Sequence, residues 1–190
     1  MTTAGAPAAV PYQPDGRVIF ETPRLIGRYF VVDDADAMFA VYGDAGAMRW
    51  VGDGNPLERE RCVRWIDVTH RNYERYGYGM TALLDRTTRD PVGFIGLVHP
   101  NGHPDAEIKY ALRRACWGRG LATEAAIGMM AYAASVLRLD RVIATAAPEH
   151  GVSHRVLLKA GLQLNGLRHN ADGSQTQMFV WRAAPGQNAG

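Results

Sequence analysis

Apolar and polar positions divide this chain into short elements. RVIFE (17–21) and RLIGRYF (24–30) are rich in β-branched and aromatic residues, and Thr22-Pro23 between them predicts a strand, a kink and a continuation. Asp33 and Asp34 have the chemistry of helix caps before ADAMFAVYG, a short helix closed by Gly43. Asn55-Pro56 predicts a second helix start, with a cap residue followed by proline at the first helical position. In that helix Leu57, Val63, Ile66 and Tyr73 form the apolar face. Arg59, Arg61, Arg64, Arg71 and Arg75 fall mostly on the solvated one, and the helix ends near Gly77.

Period-2 patterning follows. GMTALLDR (79–86) and PVGFIGLVH (91–99), joined by TTRD, predict a β-hairpin, and AEIKYALRR (106–114) predicts a third strand. Its alternation puts Ile108, Tyr110 and Leu112 on one face and Glu107, Lys109 and Ala111 on the other. Short links between these strands favour an antiparallel sheet. After RRACWGRGLATEA comes a helix whose predicted stripe is Leu121, Ala125, Gly128, Tyr132 and Val136. DRVIATAAP is the next strand, and VSHRVLLKAG is a helix stopped by Gly161. LQLNGLR and TQMFVWRA are closing strands. The order predicts one mixed α/β (α+β) domain over residues 17–183. Residues 1–16 and 184–190, rich in Ala, Pro and Gly, are expected to be flexible flanks.

Composition narrows the function classes. The chain has 190 residues, enough for one sizeable core, and a net charge of +2 with scattered basic residues, which argues against a nucleic-acid partner. The longest apolar run, AAIGMMAYAASVL, is too short to span a membrane, and the N-terminus lacks the pattern of a secretory signal. Cys62 and Cys116 lie too far apart for a Cys-x-x-Cys site. These features predict a reduced, cytoplasmic protein without a membrane partner.

The chemistry concentrates in the glycine turn. A Walker A loop needs four residues between its glycines and then Lys, whereas Gly118 and Gly120 are one residue apart and no Lys follows. A dinucleotide fingerprint fits better, since Asp140 follows Gly120 at the expected distance. However, Asp140 precedes its strand instead of ending it, and the turn follows an antiparallel hairpin instead of opening a parallel sheet. Two readings stay open on the residues alone. One is a backbone cradle for a diphosphate, built from two glycines and a helix N-terminus. The other is a plain strand-to-helix turn.

The surrounding motifs resemble the GNAT superfamily of N-acetyltransferases. That family's central motif, Gln/Arg-x-x-Gly-x-Gly/Ala, aligns with Trp117-Gly118-Arg119-Gly120-Leu121-Ala122, followed here by Thr-Glu-Ala. Trp at the first position resembles the RimJ/RimL-type branch, which acetylates ribosomal-protein N-termini. ETPRLIGR and PEHGVSHRVLLKAGL resemble that branch's opening and late motifs. The likeness runs over most of residues 17–183. It implies the GNAT fold, a central, mostly antiparallel twisted sheet flanked by helices, and acetyl-CoA as cofactor. It also implies that the diphosphate lies on Trp117, Gly118, Arg119, Gly120, Leu121 and Ala122, with Thr123 close behind. The pantetheine arm would lie along Tyr110, Ala111 and Leu112, where the Leu112 N–H holds the thioester carbonyl.

For catalysis the resemblance implies three residues. Glu107 stands in the family's E-I-G-Y position (Lys109 replaces the glycine) and is the leading general base, directly or through water. Ser153, the late motif's serine, relays a proton to the leaving thiolate or serves as a helix cap. His150 replaces the usual Asn, so it inherits that residue's pantetheine contact or acts as a base itself. The tyrosine acid of other branches would fall at Leu157 and is absent. His150 and His154 at i, i+4 lack a third ligand, so no metal is expected. Trp50 and the VGDGNP loop are the best candidates for lining an acceptor pocket. The expected acceptor is a primary amine, either a protein N-terminus or a small molecule such as an antibiotic or polyamine. A homodimer is plausible by family habit. The competing reading is a CoA-binding module without catalysis.

Overall fold

A computed structural model of the chain describes residues 15–52 and 54–183. The N-terminal and C-terminal flanks predicted to be flexible fall almost wholly outside the described residues. Among these residues, eight strands form one sheet in the order β1-β2-β3-β4-β5-β6-β8-β7. The strands are β1 (Val18–Glu21), β2 (Leu25–Arg28), β3 (Met80–Asp85), β4 (Pro91–Val98), β5 (Ala106–Leu112), β6 (Arg141–Ala146), β7 (Gln163–His169) and β8 (Gln175–Arg182). Neighbours are antiparallel throughout except β5 and β6, which run parallel.

Helices cover both faces. On one side lie α1 (Ala35–Tyr42), α2 (Ala45–Met48) and α3 (Arg59–Tyr76). Their buried side chains pack with Met80, Ala82, Phe94 and Ala111 of the sheet. On the other side α4 (Leu121–Ser135) and α5 (Gly151–Lys159) pack with Leu83, Ile95, Leu97, Ile108, Leu112 and Phe179. The predicted alternation of β5 is observed: Ile108 and Leu112 face the α4/α5 core, and Ala111 faces the other.

Four local expectations are corrected. The chain reverses at Thr22-Pro23 instead of continuing, so β1 and β2 are an antiparallel pair, with the Thr22 N–H donating to Leu25 O at 2.9 Å. Asp34 precedes α1 but does not cap it by side chain. Its buried carboxylate accepts a forked pair of bonds from the Arg28 guanidinium at 2.6 and 2.7 Å, and the Val31 N–H at 2.8 Å. The second helix starts at Arg59, with Glu58 rather than Asn55 as its cap position. Leu57 stays outside it, because its N–H donates to Tyr42 O at 2.7 Å while its side chain is buried under α1. The buried stripe of α3 is accordingly Cys62, Ile66, Thr69 and Tyr73, and Val63 is exposed.

The fourth correction concerns α4. Its buried positions are Leu121, Ala125, Ala126, Met129, Met130 and Ala133, while Val136 lies beyond the helix end and is exposed. Gly128 faces the β1 hairpin, where an added Cβ would stand 2.8 Å from the Thr22 side chain. A helix this rich in alanine is apolar nearly all round, so its pattern alone does not select the core face.

Phe94 anchors the α1/α3 layer. It is fully buried and stacked between Phe30 and Tyr42, with ring centroids 5.2 and 5.7 Å away. Phe94→Ala should therefore cost about 3–5 kcal/mol through lost burial and the residual cavity. Urea titration checks this: the midpoint should fall with an unchanged slope.

Candidate active site

Strands β5 and β6 pair at only two positions, Ala106 with Val142 and Glu107 with Ile143. Beyond them both strands continue but separate. Lys109 and Tyr110 of β5, and Ala144, Thr145 and Ala146 of β6, line the resulting cleft of about 770 Å³. Its far wall comes from α3 and the segment after α2, including Trp50, Gly52, Leu57, Arg61 and Trp65.

The open edge of β5 carries unpaired backbone. Arg113 donates its N–H to Val92 O at 2.9 Å on the β4 side. By strand alternation the N–H groups of Leu112 and Tyr110 therefore point the other way, into the gap. The Leu112 carbonyl on that edge accepts the Trp117 indole N–H at 2.8 Å. The first residue of the glycine motif thus occupies the carbonyl and leaves the Leu112 N–H.

After Trp117 the chain turns through Gly118 and Gly120, at φ +73° and +75°, and enters α4. The left-handed conformation at both positions favours glycine, and a Cβ at Gly118 would meet open space, so the backbone itself is the exposed surface. The next backbone bond of the turn belongs to Glu124, whose N–H reaches Gly120 O at 3.1 Å. The N–H groups of residues 118–123 donate to no backbone carbonyl among the described residues. A row of free N–H groups at the positive end of a fifteen-residue helix suits a diphosphate.

These two features, a gap between parallel strands and an N–H-rich turn beside it, accompany a match of residues 24–163 to the family model for the acetyltransferase (GNAT) domain. The chain belongs to the GNAT family. A relative supports this, the uncharacterized N-acetyltransferase YoaA of Bacillus subtilis, 31% identical over 150 residues that cover 78% of this chain and 85% of that one. The fold is also that of a GNAT-family acetyltransferase from Bacillus anthracis (TM-score 0.75, 21% identity, 86% of this chain and 97% of that one). It is similar as well to RimL, a ribosomal L7/L12 α-N-protein acetyltransferase solved with coenzyme A (TM-score 0.74, 16% identity, 87% and 98%). As a GNAT acetyltransferase the protein transfers acetyl groups to amines and uses acetyl-CoA.

The GNAT turn is tied to the first hairpin. Glu124, in the first turn of α4, accepts from the Thr22 hydroxyl at 2.7 Å and the Arg24 N–H at 2.8 Å. Its other oxygen takes the Arg24 Nε–H at 2.6 Å. Arg24 also donates to Arg119 O at 2.9 Å. The sequence displayed Thr22, Arg24 and Glu124 inside two quoted motifs, but their contact across about a hundred residues had no local signal. Burial pushes the Glu124 carboxyl up, yet the bonds from Thr22 and Arg24 outweigh it and hold the group below its ordinary range.

The three residues expected to act in catalysis are not equivalent. Glu107 is buried and accepts from both the Lys109 ammonium and the Thr145 hydroxyl. Lys109 in turn donates to Thr145 at 2.9 Å. Lys109 and Thr145 face the cleft, and Glu107 lies behind them. Ser153 and His150 both line the cleft. Ser153 is buried and hydrogen-bonded at 2.7 Å to the Tyr110 hydroxyl, so it is neither a cap nor free. Burial pushes that phenol up to about 12, against the weaker opposing pull of its bond to Ser153, which keeps it a proton donor near neutral pH. The alternation of β5 places the Tyr110 side chain on the face of Ile108 and Leu112, but no pattern in the sequence signals its contact with Ser153.

His150 stacks on Trp50 with centroids 4.8 Å apart and planes 10° apart. Burial, helped by nearby His154, lowers its pKa, so the neutral imidazole is favoured. Its neighbour His154 bonds Ala147 O at 3.0 Å and packs on Phe179. Trp50 lines the cleft with Val51 and Gly52 of the loop after it, and Trp65 of α3 joins them. Asp53 of the VGDGNP loop lies outside the described residues. Arg155 and Lys159 are exposed on α5.

Glu124→Ala should cost about 1–2 kcal/mol, since the Arg24 partner is half exposed. Because the folded state lowers the Glu124 pKa, its stabilisation is present above the unfolded value of about 4.3 and is lost as pH falls further. The difference between wild type and Glu124→Ala in chemical denaturation should thus shrink on acidification below that value.

Proposed function

We propose that this GNAT protein is of the RimJ/RimL type and acetylates a primary amine held in the cleft between β5 and β6, with Tyr110, Ser153 and His150 moving the protons. The observation that carries this reading is the juxtaposition of free N–H groups at 118–123, the open β5 edge and the Tyr110–Ser153 pair. Acetyl-CoA brings an activated acetyl thioester. The backbone of Trp117, Gly118, Arg119, Gly120, Leu121, Ala122 and Thr123 would hold its diphosphate. Tyr110, Ala111 and Leu112 would hold its pantetheine arm, and the Leu112 N–H would polarise the thioester carbonyl.

His150 is neutral near pH 7 and takes the proton that the acceptor nitrogen sheds as the C–N bond forms. Ser153 gives a proton to the sulfur as the C–S bond breaks, and Tyr110 restores it. Glu107 is committed to Lys109 and Thr145, so its part is to fix those two side chains at the cleft wall. An α-amine, with a pKa near 8, needs less help from such a base than a lysine near 10.4.

Two experiments test this. Acetyl-CoA at about 100 times its Kd should stabilise the protein by about 2.7 kcal/mol, read as a Tm rise of about 5–10 °C, with NAD giving none. Gly120→Val, a β-branched residue at positive φ in the middle of the turn, should abolish that rise. If the rise survives, the cradle assignment fails; if acetyl-CoA binds but no amine is turned over, a CoA-binding module is the better description. Second, Tyr110→Phe and His150→Gln should each reduce kcat by about 10²-fold with little change in acetyl-CoA affinity. Glu107→Gln should reduce kcat by less than about tenfold, and a loss as large as the other two restores Glu107 as the base. The lowered pKa fixes the pH sign: neutral His150 persists below pH 6.5 and the rate it supports falls as pH drops further, a limb His150→Gln should remove.

A further inference from the structure

The charge distribution of the cleft selects among amines, granted the reading above that acceptors enter there. Its floor and walls are apolar and aromatic, with Met48, Trp50, Leu57, Trp65, Met80 and Val98 among the lining residues. Among the described residues no Asp or Glu side chain lines it, and the charged side chains that do are Arg61 and Lys109. The Lys109 charge is already answered by Glu107. Arg61 makes no ion pair among the described residues and stands exposed where the cleft meets solvent.

The cationic character continues outward. A shallow groove of about 460 Å³ shares Arg61, Trp65 and Val68 with the cleft and adds Arg64 and Arg71, with Asp67 as its one carboxylate. The Arg49 guanidinium lies 5.0 Å from the centre of the ring of Trp50, which lines the cleft. An acceptor with several ammonium groups would have to leave water for a cleft whose described lining offers no carboxylate. An acceptor with one amine and an anionic group gains Arg61 at the entrance while its apolar part covers the aromatic wall.

We infer that the acceptor is a monoamine carrying an anionic group on an apolar or aromatic body, and that Arg61 is the specificity-determining residue that receives the anion. This disfavours polyamines and polycationic antibiotics among possible acceptors. The shared chemistry is met by a free small-molecule amine acid or by a peptide N-terminus with an acidic residue close behind it.

Two matched probe sets separate these sources and hold the amine pKa nearly constant. One is 4-(2-aminoethyl)benzoate against 4-(2-aminoethyl)benzamide; the other is the amidated tripeptides Ser-Phe-Glu, Ser-Phe-Gln and Ser-Phe-Lys; spermidine completes the panel. With acetyl-CoA binding established separately by its Tm rise, thiol release gives kcat/KM for each amine. Tryptophan fluorescence, reporting on Trp50 and Trp65, gives binding even without turnover. At low salt the anionic member of at least one set should be preferred about five- to tenfold over its neutral partner. The ratio should fall to about one in Arg61→Gln and reverse against the cationic tripeptide in Arg61→Glu. Comparing ratios between variants cancels differences intrinsic to the amines. Preference in the benzoate set points to a small molecule, and preference confined to the tripeptides points to a peptide N-terminus. Spermidine as the best acceptor, or a charge-blind ratio unmoved by Arg61→Glu, would overturn the inference while leaving the acetyltransferase reading intact. Failure of acetyl-CoA to bind would instead remove the reading beneath it.

Discussion

The separation of β5 from β6 after two paired positions is the constraint on which the site depends. A parallel pair normally continues its evenly spaced ladder, and stopping it strands donors and acceptors on both edges. Each side of the opening has its own remedy here. On one sheet face, Lys109 and Thr145 meet over the Glu107 carboxylate and bridge the two strands by side chain. On the other, Tyr110 reaches Ser153 and fastens β5 to α5. At the far end, Trp117 occupies the Leu112 carbonyl. The gap is therefore bounded by specific polar contacts, among them the two bonds that the buried Glu107 carboxylate accepts.

The glycine turn depends on a second long-range contact. A turn that offers free N–H groups to a ligand cannot use them to stabilise itself, so its geometry must be fixed from outside. Glu124 and Arg24 do this, joining the first turn of α4 to the β1–β2 reversal and, through Arg24, to the Arg119 carbonyl inside the turn. Thr22 contributes twice, donating to Glu124 and accepting the Leu25 N–H. The N-terminal motif and the central motif are thus two halves of one support, which gives a physical reason for their occurring together.

Much of this is legible in the sequence. The hairpin of β3 and β4, the faces of β5, the order of α4, β6 and α5, and the turn at Gly118 and Gly120 all follow from period and punctuation. What was not legible has identifiable causes. Alanine-rich α4 gave no contrast between its faces. Asp34 has the position of a cap, whereas its carboxylate answers Arg28, and Glu124 stands in the sequence only as a motif residue, whereas it answers Thr22 and Arg24 brought to it by folding. The apolar pattern predicts Leu57 inside a helix that a backbone bond to Tyr42 keeps it out of. Local rules describe a residue's neighbours along the chain; Glu124 and Leu57 are governed by neighbours across it, and Asp34 by an arginine on the preceding strand.

That distinction also explains why net charge was uninformative about substrate. The total of +2 sums charges with different duties. Arg28, Arg24 and Lys109 are answered by Asp34, Glu124 and Glu107 and serve the architecture. The carboxylates so used are withdrawn from the cleft, whose described lining retains none. Arg61 lines the cleft, and Arg64 and Arg71 line the groove that adjoins it. A nearly neutral chain thereby presents a positive entrance without any basic cluster in its sequence. The local field depends on which charges the fold consumes, and only a structure separates those from the ones left facing solvent.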